Sequence, residues 1–226
     1  MSAELFVRRH LPDLVIRLAL GLAFAIMAGI CLRSGFAELQ KIDFDDPRPY
    51  QISQILSIFT VTLYTLIIAC LYVLRLRPIS HFAGYIPSAA ALLGAFLLSA
   101  LLLLSPREDL PVWVLVFADL LVVTGNIFAS VILLRLGRSF SILPESRRLV
   151  THGPYAVVRH PLYLAEAVAT IGIAIIYWSP WAMFLVAAQF AFQIVRIHYE
   201  EKILKKHFPE YEAYARKTRR LIPGVY

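Results

Sequence analysis

The sequence predicts an all-α polytopic membrane protein of about six transmembrane helices, the last two a tight helical hairpin, with a cytoplasmic C-terminal helical tail. Three observations predict it. Of 226 residues, 59% are hydrophobic and 16% charged, where soluble domains average roughly 45–50% and about 25%. Apolar runs near the ~20 residues that span a bilayer recur along the chain. The Lys and Arg residues between those runs alternate sides. The mean hydropathy of +0.70 excludes disorder, and two Cys exclude a disulfide scaffold. Cys31 and Cys70 lie in apolar runs and read as small buried hydrophobes, with no metal site beside them.

The candidate spans, in order, are Leu14–Leu32, Ile52–Leu74, Tyr85–Leu104, Val112–Leu134, Leu162–Tyr177 and Trp181–Ile197. The first is too long for a signal-peptide core and no good cleavage site follows it, so it reads as a retained span. The last two are separated only by Trp178, Ser179 and Pro180, which makes them a hairpin. Trp113, Trp178, Trp181 and Tyr177 fall near span ends and read as interfacial anchors.

Charge sets the expected orientation. One side receives Arg8, Arg9, Arg75, Arg77, Arg135, Arg138, Arg147, Arg148, Arg159 and the basic tail. The other receives Arg33, Lys41 and Arg48 diluted by Glu38, Asp43, Asp45 and Asp46, and Arg107 beside Glu108 and Asp109. The arginine-rich side, with both termini, is expected to be cytoplasmic. The net charge of +7 is thereby a topology signal and not a nucleic-acid patch. A bacterial inner membrane is the expected location and the endoplasmic reticulum the alternative, since no terminal retrieval signal is present.

Polar residues concentrate in the last two fifths. The chain divides accordingly into a four-helix region, 1–134, that shapes lipid and substrate access, and a region 135–226 that carries the chemistry. In the first, Asp119 stands at membrane depth with Asn126 two turns on. It is either a functional acid or a helix-packing hydrogen bond. In the second, Pro161 suits the first turn of the fifth helix. His160 precedes that turn, where open N–H groups favour an anion. Tyr163 and Glu166 follow on successive turns. In the sixth span Gln189, Gln193, Arg196 and Glu200 are spaced 4, 3 and 4, which puts them within about 60° on one helix face. Glu201 points ~100° away from Glu200 and reads as a solvent residue. The basic tail carries Tyr211 and Tyr214 on a second short amphipathic piece, and its charges suit anionic lipid head groups.

These residues resemble a known family. Leu149-Val150-Thr151-His152-Gly153-Pro154-Tyr155, then Arg159-His160-Pro161-Leu162-Tyr163, then Arg196 with Glu200-Glu201, and Phe208, Tyr211, Tyr214 and Pro223 are similar to the isoprenylcysteine carboxyl methyltransferases and the related phospholipid methyltransferases. The resemblance spans roughly residues 136–224. It implies an integral membrane methyltransferase that uses S-adenosyl-L-methionine. The implied cofactor-binding residues are Leu149, Val150, Tyr155, His160, Pro161, Leu162, Tyr163 and Glu200. Arg196 takes the place of a substrate-facing arginine, with Gln193 beside it, and Arg196 and Glu200 are the implied catalytic residues. The family often has His where this chain has Arg147, and Gly where it has Pro209.

The implied acceptor is a lipophilic small molecule or lipidated substrate in a membrane, with carboxyl O-methylation of an isoprenylcysteine-like group the leading expectation. No nucleic acid and no metal are expected. The residues leave three alternatives: phospholipid N-methylation, with Glu166 or Asp119 as the acid; a sterol-reductase-like NADPH oxidoreductase; and a non-catalytic membrane scaffold.

Overall fold

The computed structural model describes residues 3–42, 48–76, 84–104, 106–107, 109–143 and 148–222. Arg77, Arg147 and Pro223, the acidic residues Asp43, Asp45, Asp46 and Glu108, and the side chains of Arg8 and Arg9 lie outside the described residues. The described residues form seven α-helices: α1 (Ala3–Leu39), α2 (Pro49–Leu74), α3 (Tyr85–Phe96), α4 (Val112–Leu136), α5 (Pro161–Ile176), α6 (Pro180–His207) and α7 (Tyr211–Lys217). The main departure from helix and loop among them is one isolated parallel bridge, Val158 to Arg219.

Local sequence sets the helix ends. Pro49, Pro161 and Pro180 open α2, α5 and α6, where a missing N–H leaves no bond unmade. Ser179 caps α6 by accepting from the Ala182 N–H at 3.2 Å. Gly137, at φ +54°, ends α4 in a conformation that disfavours a Cβ.

Segments of α1, α2, α4 and α6 are long and apolar enough to span a bilayer, at 13–39, 50–74, 112–139 and 180–207. The shorter apolar helices are 85–101 and 161–176. The third expected span differs from the sequence reading. It is α-helical only to Phe96 and continues as a 3₁₀ segment over Leu97–Leu103. The tighter winding rises about 2.0 Å per residue against 1.5 Å, so the whole segment still reaches roughly 30 Å.

The spans assemble in two groups. α4 lies between α2 and α5, α1 packs on α2, and α6 runs chiefly beside α3. The hairpin turn between α5 and α6 is short, as read from the sequence, but each arm packs mainly on another helix. The α4–α5 contact is the tightest. A Cβ on Gly125 would meet the Ala169 backbone N at 2.5 Å and the Ala165 O at 2.7 Å, and one on Gly172 would meet the Ala118 O at 2.5 Å. Small residues let these backbones approach, which is how helices associate without water to drive them. Gly125→Ala is therefore expected to destabilise the fold by about 1–3 kcal/mol, read as a lower melting midpoint in detergent. Gly29→Ala, where a Cβ meets nothing within 4 Å, should leave the midpoint unchanged.

One end of the bundle is tied by polar contacts. Asp13, about three turns into α1, pairs with Arg75 just past α2 and with Arg17, each at 2.7 Å. Arg138 donates to the Leu74 carbonyl at 2.8 Å and accepts from the Leu76 N–H at 2.7 Å, which joins the ends of α2 and α4. Arg75 is not the loop charge that the sequence suggested. Its side chain is fully buried against Asp13 and stands 4.8 Å from the Tyr72 ring centroid. Phe24, Tyr72, Phe140, Ile142 and Leu133 form the core below it. At the opposite end the Arg107 N–H bonds the Ile176 carbonyl at 2.9 Å. Trp113, Trp178 and Trp181 are exposed near that end and Tyr177 is partly buried there. The cysteines depart from expectation: Cys31 is partly exposed and Cys70 exposed. Apolar side chains facing lipid need no protein cover.

Candidate active site

At the Asp13–Arg75 end, the start of α5, the last turns of α6 and the tail enclose an open-mouthed cavity of about 900 Å³, counting the solvent in its mouth. Of the residues singled out from the sequence, Leu149, Val150, Tyr155, His160, Leu162, Tyr163, Arg196 and Glu200 line it. Pro161 is buried at the first position of α5. Gln193 is buried one turn below Arg196 and donates to Glu166.

The α6 stripe faces inward as its spacing predicts. Gln189, Gln193 and Arg196 are buried. Gln189 donates to the Gly94 carbonyl of α3 at 2.6 Å. The Arg196 guanidinium lies over the Tyr163 ring, 4.8 Å from its centroid, a favourable cation–π placement. Its Nε is buried and has no hydrogen-bond partner. Tyr163 donates its hydroxyl to Glu200, so the α5 tyrosine holds the α6 carboxylate and shields the α6 cation.

His160 stands between two carboxylates, with Nδ1 3.7 Å from Glu200 and Nε2 3.3 Å from Glu201. The sequence reading has this residue facing an anionic ligand. The ring instead braces Glu200 and Glu201, and the open donors at this helix start are the backbone N–H groups of Leu162 and Tyr163, since Leu164 N–H already bonds the His160 carbonyl. The Tyr155 hydroxyl is pushed well above its ordinary pKa by burial and then by the nearby Glu200 charge. It is a neutral phenol at any physiological pH.

Glu201 corrects the sequence reading. It is largely buried, and it accepts from Arg159 Nε at 2.8 Å and Arg220 Nε at 3.0 Å. The reason lies outside α6. Arg159 and His160 N–H groups bond the Arg219 and Arg220 carbonyls at 2.7 and 3.0 Å, so the tail folds back and covers the face that a lone helix would leave to solvent. The Tyr214 hydroxyl donates to the Tyr155 carbonyl at 2.7 Å, and Tyr211 and Tyr214 close the cavity wall. Glu201→Gln is expected to loosen this strap, read as faster protease cleavage after residue 207 with the helix content retained.

Sequence reasoning missed Arg148, Arg159, Ser139 and Ser141 as lining residues. The basic loop advertised the arginines, but the serines carried no signal: the Ile142 N–H donates to the Tyr72 hydroxyl at 3.0 Å, which draws their loop under α2. Asp119 resolves as a packing contact, accepting from Ser53 at 2.8 Å away from the cavity. No group of three or more His, Cys, Asp or Glu suited to a metal occurs among the described residues.

Fold and site together define an all-helical integral membrane protein with a polar pocket built by its last two spans and its tail. Residues 113–211 match the family model for phospholipid methyltransferases. It is 31% identical over 120 residues to protein-S-isoprenylcysteine O-methyltransferase B of Arabidopsis thaliana, covering 50% of this chain and 61% of that protein. It is 36% identical over 82 residues to the nickel-cobalt-cadmium resistance protein NccN of Alcaligenes xylosoxydans xylosoxydans, covering 36% and 38%. It is 34% identical over 135 residues to the cobalt-zinc-cadmium resistance protein CzcN of Cupriavidus metallidurans, covering 58% and 60%. The chain thus spans between 38% and 61% of the length of these relatives. The fold is similar to that of a eukaryotic intramembrane Ras methyltransferase, isoprenylcysteine carboxyl methyltransferase, with TM-score 0.56 and 17% identity over 100% of this chain and 88% of that one.

Proposed function

We propose that this chain is a membrane methyltransferase that uses S-adenosyl-L-methionine to methylate a carboxylate on a lipophilic, isoprenylcysteine-like acceptor. The observation that carries the reading is Arg196: a buried guanidinium with an unpartnered Nε lines the cavity beside Glu200. A buried cation with open donors suits a carboxylate, whose two oxygens match the guanidinium fork.

The residues present fit the cofactor. Glu200, fixed by Tyr163, is an acceptor for amino or hydroxyl groups. Leu149, Val150, Leu162 and Tyr155 provide apolar walls with Pro161 setting the helix start. The open N–H groups of Leu162 and Tyr163 suit a carboxylate. When bound, S-adenosyl-L-methionine supplies an activated methyl group on a sulfonium sulfur. Arg196, with Gln193 beneath it, orients the acceptor, and the strap of residues 211–220 excludes water, so alignment accounts for most of the rate gain. The acceptor approaches from the lipid side and membrane lipids surround the apolar faces. The arginine-rich pocket end then faces the cytoplasm, with both termini on that side, in a bacterial inner membrane or the endoplasmic reticulum.

Glu166 does not line the cavity, and both its oxygens already accept hydrogen bonds. It is poorly placed to take a proton from an amine, which favours a carboxylate acceptor over N-methylation. Calorimetry on the purified full chain separates the cofactor alternatives. Binding of S-adenosyl-L-methionine with no heat from NADPH is the expected result, and the reverse pattern overturns the proposal.

A further inference from the structure

We infer that Tyr64, Glu166 and Gln193 form a positioning set for Arg196, in which Glu166 is the fixed counter-ion that aims the guanidinium at the acceptor. The inference rests on the methyltransferase reading and assigns a part in it to α2, a helix that lies wholly outside the matched region 113–211.

The geometry is specific. Glu166 lies three residues after Tyr163 on α5, and Gln193 three residues before Arg196 on α6, so each pair shares a helix face. Tyr64 of α2 donates to Glu166 Oε1 at 2.6 Å, and Gln193 donates to Oε2 at 3.2 Å. Three helices thus hold one carboxylate with both its oxygens occupied.

Arg196 needs such a partner. A buried guanidinium without compensation is costly, and Glu166 and Glu200 are the carboxylates whose charges act on this one. Its remaining freedom is removed sterically. A Cβ on Gly94 of α3 would lie 3.1 Å from Arg196 Cδ, so the arginine chain lies in the space that the glycine leaves on α3, and the Tyr163 ring closes another side. Glu200 is committed to Tyr163 and to the cavity. Glu166 is therefore the carboxylate that neutralises Arg196 without occupying the space the acceptor needs. A residue that acts through Arg196 in this way moves acceptor binding and leaves cofactor binding alone.

The test uses the full chain in lipid vesicles, with labelled S-adenosyl-L-methionine and a farnesylated cysteine analogue. Glu166→Gln is expected to raise the acceptor KM by about tenfold or more, with cofactor affinity within about twofold of the parent. Glu166→Asp should recover most of the loss. Tyr64→Phe should raise KM a few-fold alone and add nothing in the Glu166→Gln background, since residues of one network do not contribute independently. An unchanged KM, an equal loss of cofactor affinity, or additive effects of the two substitutions overturn the inference. A second readout needs no turnover: phenylglyoxal labelling of Arg196, followed by peptide mass spectrometry. With the detergent melting midpoint preserved, Glu166→Gln should let the guanidinium move and label it at least ~3-fold faster. Equal labelling rates overturn the positioning role even where parent protein transfers no methyl group, which separates this failure from failure of the methyltransferase reading itself.

Discussion

Glu200→Gln is expected to weaken S-adenosyl-L-methionine binding by about 100-fold or more, measured by calorimetry on purified protein. Glu200 presents a carboxylate to the cavity while its other face is held by Tyr163 and approached by His160 at 3.7 Å. Hydrogen bonds to a charged acceptor contribute about 1.5–3 kcal/mol each. Losing the charge removes that contribution from every ligand donor it meets. It also leaves Tyr163 and His160 competing for a single amide oxygen, so the geometry loosens with the affinity. Glu200→Ala should go further and abolish measurable binding. Tyr163→Phe separates the two effects: it keeps the carboxylate but frees it to rotate, and should weaken binding by only about tenfold. Normal affinity in Glu200→Gln would place the cofactor elsewhere.

Arg196→Ala is expected to reduce methyl transfer by about 10²–10³, the scale seen when one preorganised electrostatic contact is lost from an active site. Two losses combine. The acceptor carboxylate has no fork to dock on, and Glu166 and Glu200 lose the cation whose charge acts on both. Arg196→Lys tests the first alone. An ammonium keeps the charge but not the planar pair of donors, so it should restore stability more fully than rate. Transfer by Arg196→Ala at the parental rate would remove this residue from the acceptor site.

The frame was legible because lipid imposes it. Backbone groups within a bilayer pair inside helices, so apolar length located α1, α2, α4 and α6, although α1 and α6 run well past the expected spans 14–32 and 181–197. The α6 stripe was legible for a similar reason, since four polar residues on one face of an apolar helix have few places to go. What the sequence concealed was long-range. Nothing near Glu201 announces Arg220, because their meeting depends on the tail returning to pair with residues 158–160. Arg75 counted as a loop charge until Asp13, 62 residues earlier, neutralised it inside the bundle. Tyr64 looked like one more apolar-run aromatic, and only its contact with Glu166, 102 residues away, gives it a part in the site. The 3₁₀ ending of the third span was hidden too, as an all-apolar run does not distinguish the two windings.

The central claim is that the pocket between α5, α6 and the tail delivers a methyl group to a lipophilic carboxylate. The most direct measurement is transfer of labelled methyl from S-adenosyl-L-methionine to a farnesylated cysteine analogue by the full chain in lipid vesicles, with the product tested for base lability. The account predicts a base-labile methyl ester formed by the parent protein and not by Glu200→Ala. Label in a base-stable product, or equal transfer by the two proteins, would contradict it.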